Sequence, residues 1–294
     1  MHFRRSGFST LLCTLLCATL PAVAQNGAGA VHSGGIENTA SGASSTIGGG
    51  IINKSTGPYA TISGGDGNIS SSTATTVGGG SSNTASSRQA TVSGGYRNIA
   101  SGRQATVIGG MDNEAIGLGS VVAGGEGNTA RGYYSFVAGK GANDGGYSRT
   151  FVWDDNSGDD ATAENSFNVN ASGGIFLNGS VHASSDRNKK TNFSPVSSQE
   201  VLNKVLEIPI TTWRFKTEDH SILHIGPVAQ DFMATFGYGI DETHITSTDA
   251  DGVALAAIQG LNQKLENKQA EIDSLTQQLK AFEQRLQTLE RQTK

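Results

Sequence analysis

Cysteine is nearly missing: the chain has two, Cys13 and Cys17, and none after them. A disulfide framework and a thiol nucleophile are thereby excluded from everything beyond residue 17, so stability outside a cell would have to come from repetition or association. Aromatic residues are 6%, and the hydrophobic share is 36%, where an ordinary globular protein carries about 45–50%. That scarcity excludes one large compact core. Charge is also short, at 16% of residues, which leaves too little repulsion for a solvated disordered coil. Basic residues number 21 against 26 acidic, the net charge is −5, and no basic cluster occurs, so nucleic acid is not an expected partner. After residue 24 no run approaches 18 consecutive apolar residues, which excludes a membrane-spanning helix there.

Glycine is what the chain has in excess, 40 residues in 294, about twice the usual 7% yet well short of the one-in-three of collagen. The first 24 residues read as a secretory leader. Arg4 and Arg5 form the basic start, Phe8 to Leu20 the apolar stretch, and Ala22-Val23-Ala24 a small-residue cleavage site. The apolar stretch, about 13 residues, is shorter than the ~20 that span a bilayer. Leucine precedes both cysteines, where a lipoprotein site needs a small residue. The expected product is secreted or held at the cell surface, and loss of the two arginines takes its net charge to −7.

Three ladders then run in register with a step of fifteen. A Gly-Gly or Gly-Lys pair recurs at Gly34, Gly49, Gly64, Gly79, Gly94, Gly109, Gly124 and Gly139. Asparagine recurs at Asn38, Asn53, Asn68, Asn83, Asn98, Asn113, Asn128 and Asn143, and an aliphatic residue at Ile47, Ile62, Val77, Val92, Val107, Val122 and Val137. Each unit reads as a short strand, a glycine turn and a polar turn. Strand side chains alternate, so the aliphatic residue points inward and its threonine neighbour (Thr46, Thr61, Thr76, Thr91, Thr106) outward. Stacking such units predicts a buried aliphatic column and an asparagine ladder, with glycine at positive-φ corners.

The units from Ser33-Gly34-Gly35 through Asn38-Thr39-Ala40-Ser41-Gly42 and their successors resemble the YadA-like head repeat of trimeric autotransporter adhesins, over about 31–145. The resemblance implies a left-handed parallel β-roll of eight coils, three chains side by side. Nothing in the chain looks like the C-terminal membrane barrel of those adhesins. Short glycine motifs carry no chemistry here. Gly65-Asp66-Gly67-Asn68 lacks the full calcium nonapeptide, Gly139-Lys140-Gly141 lacks the Ser or Thr of a phosphate loop, and the acidic run Asp154 to Asp160 lacks helix-loop-helix spacing. From Gly145 the period is read as lost, and Tyr147, Phe151, Trp153, Phe167 and Phe176 mark a strand-rich connector over 146–184.

Composition changes at residue 185. Ser185-Asp186-Arg187-Asn188-Lys189-Lys190, then Trp213-Arg214-Phe215-Lys216, then His224-Ile225-Gly226-Pro227-Val228-Ala229-Gln230-Asp231-Phe232, then Asp249-Ala250-Asp251-Gly252-Val253 and a heptad region resemble the intramolecular chaperone auto-processing domain of tailspikes and endosialidases, serine peptidase family S seventy-four. The resemblance implies a nucleophile at Ser185, a lysine base at Lys190, a cut between Ser184 and Ser185, and an accessory role for His224, with Gln230 a weaker match. A serine hydroxyl needs a base to take its proton, and a neutral lysine can serve. Ser184 and Lys189 also stand five apart, so the register admits a second pair. The remaining histidines, His32, His182, His220 and His244, have no metal-ligand spacing, and no metal or cofactor is expected.

Past Gly252 a heptad places Ile258, Leu265, Ile272, Leu279 and Leu286 at a, with Leu261, Lys268, Leu275, Phe282 and Leu289 at d. This predicts a helix of about 35 residues in a bundle of more than two strands. The expected fold is mainly β, a trimeric parallel β-roll head (25–145), connector (146–184), small α+β chaperone domain (185–252) and coiled coil (253–294). The expected partner is a second and third copy of the chain, with any host-surface ligand unidentified. The expected function is a homotrimeric adhesin- or fibre-like protein whose C-terminal domain drives folding and then cuts itself off. The alternative is a structural adhesin that keeps that domain.

Overall fold

In the computed structural model residues 27–155, 161, 163–216 and 219–292 are described. The expected leader and Asn156 to Asp160 of the acidic run lie outside them. The described residues form two compact units, divided in the chain between Ile175 and Phe176.

The first unit is a parallel β-solenoid. Ten short strands stack into one sheet, from Val31–His32 through Thr46–Ile47 and its repeats to Phe151–Asp155 and Phe167–Asn170. A second sheet of seven strands runs from Thr39–Ala40 to Thr129–Ala130, and a row of single bridges links Ile36, Ile51, Asp66, Ser81, Tyr96, Met111 and Glu126. Register is fifteen throughout the early coils, Thr46 on Thr61 and Ile47 on Ile62. The expected inward column is fully buried, and the half-buried threonines beside it face out. Small residues fill the rest of the interior: Ala40, Ser55, Ser70, Ala85, Ala100, Ala115 and Ala130 make one column, Ala60, Thr75, Ala90 and Ala105 part of another. A coil this narrow has no room for larger side chains, which accounts for the low hydrophobic share.

The asparagine ladder forms by hydrogen bonds that no other side chain can make at once. Asn53 Nδ2 donates to Gly49 O in its own coil at 3.1 Å and to Gly65 O in the next at 2.8 Å, while its Oδ1 accepts the N–H of Asn68 at 3.0 Å. Backbone groups at each corner are thereby satisfied from within the coil and from its neighbour. The second glycine of each pair lies where that neighbour comes closest. At Gly95, φ is 93° and a Cβ would fall 2.2 Å from Gly110 O, whereas a Cβ on Gly94 would meet nothing within 4 Å.

Two expectations need correction. Asn143 does not continue the ladder, because the coil is one residue shorter there: Val122 pairs with Val137, but Gly125 pairs with Gly139. Ala142 N therefore donates to Asn128 Oδ1 at 2.9 Å, and Asn143 sits half-buried at the next position. Buried Asp144 stands level with Ala130 in the small-residue column, its carboxylate accepting from Arg131 N, Gly132 N and Gly146 N at 2.9, 2.7 and 3.0 Å. Nor does the repeat stop at Gly145. Val152 is the eighth member of the buried column, and Phe151 pairs in register with Phe136 and then with Phe167. Their rings stack at centroid separations of 5.2 and 4.4 Å, taking over the outward row that threonine fills earlier.

The second unit holds three helices: α1 (Ser198–Glu207), α2 (Ala229–Phe236) and α3 (Ser247–Gln292). Ser197 Oγ accepts from Glu200 N at 3.3 Å to start α1, and Pro209 follows its end. Gly237, left-handed at φ 70°, ends α2. Val201, Leu202, Ile208, Phe232, Phe236, Val253 and Ala257 form the core. Gly260 lets α3 approach α1, since a Cβ there would lie 2.3 Å from Ser198 O. At 46 residues α3 is longer than expected. It begins before Gly252 because Thr246 Oγ1 accepts from Asp249 N at 3.1 Å and caps it. Beyond its contact with α1 both heptad rows of α3 are exposed in the single chain. No helix among the described residues is long and apolar enough to cross a membrane.

Candidate functional site

One short 3-10 turn, Arg187–Lys189, shapes the segment that opens at Ser184. Asp186 caps it: its Oδ1 accepts from Asn188 N at 2.9 Å and from Asn188 Nδ2 at 3.1 Å. Lys190 N donates to Arg187 O at 3.2 Å, so the chain folds back within five residues. The result is a direct contact. Lys190 Nζ donates to Ser185 Oγ at 2.7 Å, a normal charge-assisted length. Lys189 Nζ approaches Ser184 Oγ at 3.5 Å, the outer limit of a hydrogen bond. The 185/190 contact is thus the shorter of the two. All four residues are exposed in the single chain. The Arg187 guanidinium lies 5.0 Å over the Phe193 ring, which holds its charge against an aromatic face.

His224 opens the short strand His224–Gly226. It stands opposite Trp213 in the antiparallel pair Thr211–Trp213 and His224–Gly226. Its ring stacks on Trp213 at 4.7 Å and meets Phe215 edge-on at 5.5 Å. Among the described residues the buried Trp213 Nε1 proton meets no acceptor. Gln230, in the first turn of α2, lines a groove of about 560 Å³ with Trp213, Phe215, Pro227, Thr243 and His244. Two residues before Thr243, Asp241 accepts from Thr243 and His244, and these bonds, Thr243 first, hold its carboxyl well below the usual carboxylate range.

Sequence reasoning missed two residues that shape this region. Asp186 sets the turn, and the Asp-x-Asn spacing was the available signal. Trp213 fixes the His224 ring, which no local spacing reveals because the pairing crosses eleven residues. Among the described residues no group of three or more His, Cys, Asp or Glu is placed to hold a metal. Residues 185–238 match a family model described as chaperone of endosialidase. No curated protein matches the chain. The chain therefore carries a chaperone-of-endosialidase segment, beginning at Ser185, behind a β-solenoid of 15-residue coils.

Proposed function

We propose that the protein is a secreted homotrimeric fibre- or adhesin-like rod whose C-terminal unit drives trimer folding and then releases itself by cutting between Ser184 and Ser185. The carrying observation is the 2.7 Å contact of Lys190 Nζ with Ser185 Oγ at the first residue of the family match. The step balances without a cofactor. Ser185 Oγ attacks the Ser184 carbonyl carbon, and the neutral Lys190 amine takes the hydroxyl proton. That proton passes to the Ser185 nitrogen as the peptide C–N bond breaks and an ester forms. Water then hydrolyses the ester, freeing 25–184 from 185–294.

A lysine amine holds its proton up to about pH 10.4 in water, and burial disfavours the charged form. Exposed as the pair is in one chain, it would become competent only when assembly covers it, which couples the cut to correct folding. Three parallel copies of α3 would bring both heptad rows inward, with Lys268 setting register. The exposure of the pair also favours a second reading, a trimeric rod that keeps its chaperone unit. Mass spectrometry of the purified secreted product decides between them. Two fragments, the smaller beginning at Ser185, support self-release; intact trimers support retention.

A further inference from the structure

Strand alternation gives the antiparallel pair Thr211–Trp213/His224–Gly226 two different faces. Trp213 and His224 share one face with their aromatic neighbour Phe215. Ile225 stands on the other, opposite Thr212, with Ile210 and Leu223 one residue beyond the strand ends on the same side. All three aliphatic residues are exposed in the single chain, Ile225 by 74%. Among the described elements the two strands approach only each other at backbone level. A two-stranded pair with apolar groups on both faces is marginal in water and reads as an element covered on both sides.

The occupant follows from α3. Val253, Ala257 and Gly260 turn toward α1, which leaves Leu255, Ile258 and Leu261 outward, Leu255 by 64%. Ile258 and Leu261 open the heptad seam, and Leu255 flanks it. Ile245, two residues ahead of α3, lines one groove with Trp213 and Phe215, which sets the strand pair beside the start of that helix; copies associating along the seam run parallel and in register, so each pair comes level with the first turns of a neighbour's α3. Two exposed aliphatic surfaces then stand at the same height around one axis, neither covered by the described residues of its own chain. We propose that the Ile210–Leu223–Ile225 face of one copy packs on the Leu255 face of α3 in a second copy, clasping the trimer from outside its helical seam. This rests on the trimeric reading above.

The test exploits the missing cysteines. In protein 25–294, Ile225→Cys with Leu255→Cys introduces the only two thiols, and both stay in the C-terminal fragment whether or not the chain cuts itself. Light scattering first establishes the oligomer, and oxidation with denaturing electrophoresis follows. Covalent trimers from the double variant, absent from either single variant, are the expected result. Scattering trimers that give only monomeric chains, whether through an intrachain disulfide or none, overturn the clasp and leave the trimer standing. Covalent dimers from Ile225→Cys alone also overturn it, because the exposed faces would then meet each other. A monomer in scattering overturns the trimeric reading itself. As a second measurement, Ile225→Ser lowers the trimer melting temperature; an unchanged value for a side chain so exposed means that nothing covers it, and overturns the clasp independently.

Discussion

Asn98 donates its backbone N–H to Oδ1 of Asn83, fifteen residues earlier, at 2.9 Å. Asn83 Nδ2 reaches Gly79 O at 2.9 Å and Gly95 O at 2.8 Å, so one side chain satisfies three backbone groups in two coils. Asn83→Ala takes the partner from Asn98 N and Gly79 O and leaves Gly95 O with the Ser81 N–H alone, at about 1–3 kcal/mol for a buried group left unpaired, and should lower the melting temperature measured by circular dichroism. Asn83→Asp should be worse at neutral pH, because a carboxylate oxygen would face two carbonyl oxygens. Burial and those carbonyls raise the aspartic acid's folded pKa, so the deficit should ease as pH falls through that raised value and level off below about 3.9, where the acid is protonated in both states.

Gly94 and Gly95 are adjacent and alike in sequence but not in surroundings. Gly94→Ala should change stability by less than about 1 kcal/mol, since nothing lies within 4 Å of the added methyl. Gly95→Ala drives a methyl into the Gly110 carbonyl from a positive φ and should prevent a native melt, as neither coil can move without breaking its own ladder. Equal effects from the two would mean that the coils are not stacked in this register.

Ser185→Ala and Lys190→Ala should each abolish the cut while trimers remain, read by electrophoresis and light scattering, because neither residue lies on the heptad seam. Lys189→Ala should still cut. The opposite pattern for the two lysines would assign the chemistry to the looser Ser184 pair.

Residues 25–184 expressed without 185–294 should be aggregated or unfolded, whereas the same segment released by self-cleavage should stay trimeric after the chaperone unit is removed. Loss of the assembling unit makes unfolding hard to reverse. Equal yields of heat-resistant trimers from both preparations would show that 185–294 does not assist folding.

Much of the rod is legible because its core is one residue deep. Ile47, Val77 and Val107 recur at a fixed step, and only a stacked coil puts that step in one column. The shortened coil is hidden by coincidence, since Gly139 and Asn143 keep the fifteen-residue count from Gly124 and Asn128 while the backbone pairing has moved by one. The later coils are masked by chemistry: Phe136, Phe151 and Phe167 replace outward threonine, although Val152 still marks the step. At the candidate site the five-residue spacing of Ser185 and Lys190 is readable, but the turn that brings them together depends on Asp186. The His224 surroundings depend on a strand pairing between distant segments, and the start of α3 on Thr246, a cap ahead of the heptads.

Because Asn68 asks of Asn83 what Asn83 asks of Asn98, a coil cannot tell which neighbour it has, only that it has one. Removing fifteen residues between Asn53 and Asn113 would return equivalent donors and acceptors to each other, and duplicating them would do the same. Rod length is then a matter of how many coils the gene encodes, each adding about 4.8 Å. Unequal crossing-over between such similar stretches of DNA could alter the reach of this protein without any surface having to be reinvented.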